Sequence, residues 1–229
     1  MYQKYFKRLF DIISSGCALV LLSPILLYIA YLVKTRLGSP VLFTQIRPGK
    51  DGKLFKMYKF RSMTDERDEN GNLLPDDVRL TEFGKKLRSS SLDELPELIN
   101  IFKGDMSVVG PRPQLVRDMV FFTDEEMKRQ SVYPGLTGLA QISGRNNITW
   151  EEKFKFDLQY VKKISFLDDM RIIYRTVFKV ANQDDINTEG METAEDLGDY
   201  LLRMGKVSKK EYDKKQEEAK ELLKRFDNG

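Results

Sequence analysis

Two adjacent carboxylates, Asp93 and Glu94, stand in the stretch Ser89-Ser90-Ser91-Leu92-Asp93-Glu94-Leu95-Pro96-Glu97-Leu98-Ile99-Asn100 and are the first residues whose types could do chemistry. Leu92, Leu95, Leu98, Ile99 and Phe102 recur at the helical period, so a short helix is expected to bury that face and leave Asp93, Glu94, Glu97 and Asn100 elsewhere. Pro96 cannot donate a helix-interior hydrogen bond and belongs in the first turn, which places the helix start near Asp93. The positive end of the helix dipole would keep Asp93 ionised and would suit a phosphate. The same letters carry a structural reading. Ser91-x-x-Glu94 fits a capping box in which Glu94 satisfies the Ser91 amide, and on this stretch alone capping is the simpler account.

Composition narrows the chemistry. The 229 residues include no histidine and one cysteine, Cys17. Ser-His-Asp and Cys-His nucleophiles, histidine-ligated zinc and an intrachain disulfide are all excluded. Carboxylates, Lys, Arg, Tyr, Ser and Thr remain, with room for a hard cation such as Mg²⁺ on oxygen ligands. A balance of 38 Lys and Arg against 35 Asp and Glu gives a formal charge of +3 and does not point to nucleic acid.

Cations that could meet an anionic substrate occur in three other places. Leu54 to Met63 reads as the second strand of a β-hairpin begun at Val41 to Gln45, with Lys59 and Arg61 alternating with Tyr58 and Phe60. Arg112 lies between Pro111 and Pro113, which would preset its guanidinium for bidentate contact with phosphate. The run from Tyr133 to Asn146 is rich in glycine, matches neither common phosphate-loop pattern, and could bring Gln141 and Arg145 to a ligand or merely connect elements.

The elements that must position these groups begin with an apolar segment. Ile12 to Val33 carries no charge, and about 22 residues at about 1.5 Å each could cross a hydrocarbon core of about 30 Å. Ser23-Pro24 interrupts it, and basic residues flank both ends, so a proline-kinked span and a re-entrant hairpin both fit. Trp150 to Phe166 and Asp168 to Asn182 read as amphipathic helices, packed on a core or lying in a lipid interface. Thr193 to Phe226 is charged and is expected to form two helices, as a peripheral appendage or a homo-oligomer contact. The fold class expected is α+β, mostly helical. Three regions follow: a membrane-associated segment over 1–36, a catalytic unit over 37–182 and a C-terminal appendage over 183–229.

Read together, the chain from about Tyr5 to Phe178 resembles the monotopic phosphoglycosyl transferases, bacterial enzymes that place a sugar-1-phosphate on polyprenol phosphate. The strings that carry the resemblance are Lys-Arg-Leu-Phe-Asp11, Ser23-Pro24, Tyr-Lys-Phe-Arg-Ser-Met63, Leu-Asp93-Glu94-Leu-Pro96, Gly-Asp-Met-Ser-Val-Val-Gly-Pro-Arg-Pro113 and Pro-Gly-Leu-Thr-Gly-Leu-Ala-Gln141. The resemblance implies that Asp93 attacks a UDP-sugar, releases UMP and holds the phosphosugar until polyprenol phosphate takes it. It implies Mg²⁺ on Asp93 and Glu94, with Glu94 holding the metal or taking the acceptor's proton. Arg88, Arg112 and Arg145, with Lys59, Arg61 and Gln141, are implied as substrate contacts. It also implies a short catalytic helix and a re-entrant hairpin in one leaflet of the bacterial inner membrane, with the catalytic unit on the cytoplasmic face. The rival from another class is a membrane-attached scaffold in which Asp93 and Glu94 only cap and the basic residues grip lipid.

Overall fold

The structure is a computed structural model that describes residues 2–144, 148–182 and 195–228. Helices α1 (Lys7–Leu21) and α2 (Ser23–Leu37) come first, followed by strands β1 (Leu42–Pro48) and β2 (Leu54–Phe60). Short helices α3 (Asp76–Arg79), α4 (Glu82–Ser89) and α5 (Glu97–Lys103) lead to β3 (Ser107–Val109). Then follow α6 (Val116–Met119), α7 (Asp124–Met127), β4 (Gly135–Thr137), α8 (Leu139–Ser143), α9 (Trp150–Lys162), α10 (Phe166–Asn182), α11 (Leu197–Arg203) and α12 (Lys209–Asp227). The mostly helical α+β class is as expected.

The apolar segment breaks where proline requires it. Pro24 sits in the first turn of α2, and Ser23 Oγ donates to the Val20 carbonyl at 2.8 Å, meeting one acceptor freed by the break. Among the described residues no single helix is long and apolar enough to cross a membrane, whereas α1 and α2 pass together on length and composition as a pair bent by 64°. Both helices are bound to the rest of the chain. α1 turns Lys7, Asp11 and Ser15 inward. Lys7 Nζ pairs with Asp169 of α10 at 2.7 Å, and Asp11 Oδ1 accepts from the Val108 amide of β3 at 2.9 Å. Ile29, Val33 and Leu37 of α2, spaced four apart, bury against Phe60 and Leu87, with Leu92 and Leu95 beside them. The second helix of the apolar pair thus packs under the turn that carries the carboxylates.

The expected hairpin is present as an antiparallel pair in register from Leu42↔Phe60 to Pro48↔Leu54. A second sheet was not legible in the sequence: β3 and β4 pair in parallel, Ser107↔Gly135 and Val109↔Thr137. Three-residue strands are too short for an alternating pattern to register. The glycine-rich run owes its composition to this contact. A Cβ on Gly135 would lie 2.1 Å from the Gly110 nitrogen, and one on Gly138 would lie 2.2 Å from the Gly110 oxygen. Gly135→Ala must push apart two backbones and is expected to cost about 3 kcal/mol, lowering Tm by roughly 6–12 °C in a thermal melt.

The two amphipathic helices differ in role. α9 buries Trp150, Phe154, Asp157 and Tyr160 and is a core helix. α10 buries Asp169 and Ile172 and leaves Phe166, Leu167, Tyr174, Val177 and Phe178 exposed. The face turned inward is set by Asp169, which is drawn in by Lys7, Tyr2 and Tyr160. α11 and α12 are less peripheral than 183–229 was expected to be. Leu197 and Ala219 join Val116, Val120, Phe121, Trp150 and Phe154 in one buried cluster, and the described apolar face is turned onto this same chain. The dock is partly polar, since Asp118 accepts from the amides of Leu197 at 2.9 Å and Leu115 at 3.2 Å.

Burial pushes the Asp118 carboxyl up to about 6, the bond from the Leu197 amide opposing. A carboxyl raised above its unfolded value contributes stability below the unfolded pKa of about 3.9 and loses it as pH rises through the folded value. Stability is expected to fall by on the order of 2–3 kcal/mol through this group between pH 4 and pH 7. Thermal melts should show Asp118→Asn less pH-dependent than the parent over that window; equal slopes would refute it.

Candidate active site

Asp93 and Glu94 lie on a single 3₁₀ turn, Leu92–Glu94, between α4 and α5. Three expectations are corrected here. α5 begins at Glu97 with Pro96 at its N-cap, so the helix starts after the carboxylates, and its seven residues leave little dipole to act on them. Ser91 adopts a left-handed φ of 54° and its side chain makes no cap bond. Glu94 does not complete a capping box, because its carboxylate is turned to cations: Lys59 Nζ donates at 2.8 Å, and Arg112 grips both oxygens, Nη1 to Oε2 at 3.3 Å and Nη2 to Oε1. The left-handed residue reverses the chain after α4 and aims the two carboxylates at the β2 and Arg112 segments.

The two carboxyls are driven apart electrically. Burial, reinforced by the charge on Glu94, raises the pKa of Asp93 against the pull of Lys59, Arg88 and Arg112. Burial would also raise Glu94, but Arg112 and then Lys59 overturn it and hold that carboxyl well below the usual carboxylate range. One cation at about 3 Å is worth roughly 5–6 kcal/mol at an effective dielectric of about 20, and desolvating a carboxylate costs several. Two cations therefore settle the sign. Asp93 is 8% exposed, and among the described residues its carboxylate forms neither an ion pair nor a hydrogen bond.

The cations around the carboxylates come from three segments. Lys59 is on β2 and also lies 3.3 Å from Glu97 Oε1. Arg88 ends α4, its Nε donating to Ser62 Oγ at 2.9 Å; the helix approaches closely because a Cβ on Gly84 would sit 1.9 Å from the Ser62 oxygen. Arg112 enters from the loop after β3. Arg61 is placed differently from these. Its guanidinium is committed to the Met63 and Ser39 carbonyls, both at 2.8 Å, and to Asp65 at 2.6 Å, so it ties the chain after β2 and is not joined to the carboxylates. Gln141 donates to the Leu136 carbonyl at 3.0 Å, bracing the glycine-rich turn, and its Oε1 is buried without a hydrogen-bond partner among the described residues. Arg145 lies outside the described residues.

Glu97 and Asn100 belong to the site and were not singled out as site residues from sequence. Glu97 is 1% exposed; burial and then Glu94 raise its pKa. Its Oε1 is near enough to Lys59 for an ion pair but forms no hydrogen bond among the described residues. Spacing three residues from Glu94 was the available signal. Asn100 is fully buried, accepts from the Tyr58 amide at 3.0 Å, and donates to the Lys56 carbonyl at 2.7 Å and Asp105 at 3.1 Å. It fastens α5 to β2 and so fixes Lys59 against the carboxylates. A lone Asn has no sequence signal for such a duty.

Oxygen donors alone are present, which suits a hard cation. Among the described residues no three Asp, Glu, Cys or His side chains group as a metal cage. Mg²⁺ ordinarily needs only one or two carboxylates, keeping waters and sharing substrate oxygens. Asp93 fits that role directly, and Glu94 fits if it yields an oxygen from Lys59 or Arg112.

Glu94, largely buried and held by two cations, and Asp93, buried and without an ion pair or hydrogen bond among the described residues, give a charge pattern compatible with transfer of an anionic group, beside an apolar helix pair. Comparison with known proteins agrees with this class. The family model of bacterial sugar transferases matches residues 2–183, and the chain belongs to that family; it is a transferase. It is 50% identical over 189 residues to the uncharacterized sugar transferase EpsL of Bacillus subtilis, covering 82% of this chain and 94% of the relative. It is 47% identical to the UDP-glucose:undecaprenyl-phosphate glucose-1-phosphate transferase of Klebsiella pneumoniae, covering 76% of this chain and 40% of that protein. It is 38% identical to the undecaprenyl-phosphate galactose phosphotransferase of Salmonella typhimurium, covering 79% of this chain and 41% of that protein. The alignment thus spans about two-fifths of each of the last two. α11 and α12 lie beyond the family match.

Proposed function

We propose that this transferase moves a sugar-1-phosphate from a UDP-sugar to polyprenol phosphate through a covalent intermediate on Asp93. The observation that carries the reading is the buried Asp93 carboxylate, unpaired among the described residues, beside a Glu94 whose charge is already taken up by Lys59 and Arg112. An Asp93 oxygen attacks the sugar-proximal phosphorus; the bond to the UMP oxygen breaks and its electron pair leaves with UMP. A phosphate oxygen of the polyprenol phosphate then attacks the same phosphorus, the bond to Asp93 breaks, and the carboxylate is restored with a polyprenol diphosphosugar as product. Attack on a diphosphate by a carboxylate requires cations to offset repulsion, and Arg88 and Arg112 supply them. Mg²⁺ held by Asp93 and Glu94 would neutralise charge on the diphosphate. Glu94 is also placed to take the acceptor's proton once substrate phosphate draws Arg112 from it. The scaffold alternative is disfavoured by family membership.

The membrane reading has its own support. The bent pair α1–α2 suits a re-entrant hairpin, since each helix of about 15 residues reaches about 22 Å, short of a hydrocarbon core of about 30 Å. The exposed Leu167, Tyr174 and Phe178 of α10, with Arg171 and Arg175 among them, suit a helix lying in a lipid interface. In this reading the site lies on the cytoplasmic face of the bacterial inner membrane, where a soluble donor and a lipid acceptor meet. Purified protein in detergent, given a panel of UDP-sugars, Mg²⁺ and undecaprenyl phosphate, is expected to release UMP with at least one donor. Release from none overturns the reading.

A further inference from the structure

Arg112 is held by its backbone as well as by Glu94, and the holder is a buried pair far away in sequence. Arg129, on the 3₁₀ turn Lys128–Ser131 after α7, donates from Nη2 to the Arg112 carbonyl at 2.7 Å. The same guanidinium donates twice to Asp157 Oδ2 on α9, from Nε at 2.9 Å and Nη2 at 2.6 Å. Both side chains are almost fully buried, 2% and 3% exposed. On the other side of the loop, Arg47 of β1 donates to the Pro113 carbonyl at 3.2 Å. Prolines at 111 and 113 fix the flanking φ angles, and the two carbonyl anchors hold the backbone from which the Arg112 side chain reaches Glu94.

We propose that Arg129, oriented by Asp157, is a positioning residue for this transfer, aiming the Arg112 guanidinium through the Arg112 carbonyl. The physical case begins with cost. A buried ion pair is seldom more stabilising than apolar side chains of the same volume, so stability alone gives little reason for one here. What the pair supplies is a fixed, directional donor. The planar guanidinium meets Asp157 from two nitrogens and the carbonyl from one of them at fixed angles; a lysine ammonium keeps the charge and loses that fixed fork. A displacement of about 1 Å at a remote support can cost about 10²-fold in rate, because the fork on Glu94 tolerates little error.

The proposal rests on Arg112 serving the reaction described above, and one readout is chosen to be independent of that. Arginine modification by phenylglyoxal, followed by peptide mass spectrometry, needs no substrate. In Arg129→Lys, labelling of Arg112 is expected to accelerate about 5-fold or more relative to the parent, with the exposed Arg203 as internal control. An unchanged Arg112 rate overturns the proposal even if no transfer is ever detected. With a donor in hand, Arg129→Lys is expected to lower kcat about 10²-fold with KM for the UDP-sugar changed less than about 3-fold. In the Arg112→Lys background the same change should cost less than about 3-fold, because the two residues act in series. Full additivity would mean that Arg129 works elsewhere and would overturn it. Should Arg129→Lys fail to fold, Arg129→Met combined with Asp157→Asn removes both charges at similar volume and carries the same two measurements.

Discussion

Asp93→Asn is expected to abolish sugar-1-phosphate transfer, with UMP release falling by about 10⁴-fold or more, as when a covalent nucleophile is removed elsewhere. The change is nearly isosteric, so the turn Leu92–Glu94 should persist. Folding should not suffer, because the ionised form of Asp93 is disfavoured by burial and by Glu94, and an amide carries neither penalty. Tm is expected to be unchanged or higher. Incubation of the parent with donor and no acceptor should add one phosphosugar to the intact mass. The variant should add none. Retention of a tenth of the parent rate in Asp93→Asn, or an adduct mapped to another residue, would remove Asp93 from the chemistry.

Arg112→Lys should have the second-largest effect, despite conserving charge. The guanidinium spans both oxygens of Glu94, and an ammonium cannot do so. Glu94 would then depend chiefly on Lys59, itself shared with Glu97 at 3.3 Å. Since burial raises Glu94 and Arg112 is the larger of the two cations opposing it, weakening that contact moves its carboxyl upward. kcat/KM is expected to fall 10²–10³-fold, the size found when one preorganised donor is lost from a charge-stabilising site. Arg112→Ala should add a stability cost of about 1–3 kcal/mol by leaving the partly buried Glu94 carboxylate with Lys59 alone. The two variants separate position from charge: equal activity in Lys and parent would show that charge alone suffices.

Much of this site is a matter of which partner wins. Ser91-x-x-Glu94 fits a helix cap as a string of letters, and a cap is local, requiring only residues within one turn. The fold assigns Glu94 instead to Lys59, 35 residues earlier, and Arg112, 18 residues later. Arg61 and Lys59 alternate on one strand in sequence, yet only Lys59 reaches the carboxylates, because the strand ends at Phe60 and Arg61 turns to Met63, Ser39 and Asp65. Of the two amphipathic helices, α10 alone turns its apolar residues outward, since Asp169 is claimed by Lys7 across 162 positions.

The sequence by itself determined the chemistry that was available, through absent histidine and adjacent carboxylates, and it determined the elements whose cause is local. Those were the break at Ser23-Pro24 and the hairpin around Gly49 to Gly52. It also carried the family strings. Only the tertiary structure decided that the carboxylates sit on a 3₁₀ turn before the helix, that Glu97 and Asn100 complete their surroundings, that β3 and β4 pair, and that Arg129 reaches the Arg112 carbonyl. The physical reason is range. Backbone preferences and side-chain periodicity act over a few residues and are written in order along the chain, whereas a buried charge takes whichever opposite charge the packing brings within about 3 Å, and that is fixed only when the whole chain has folded.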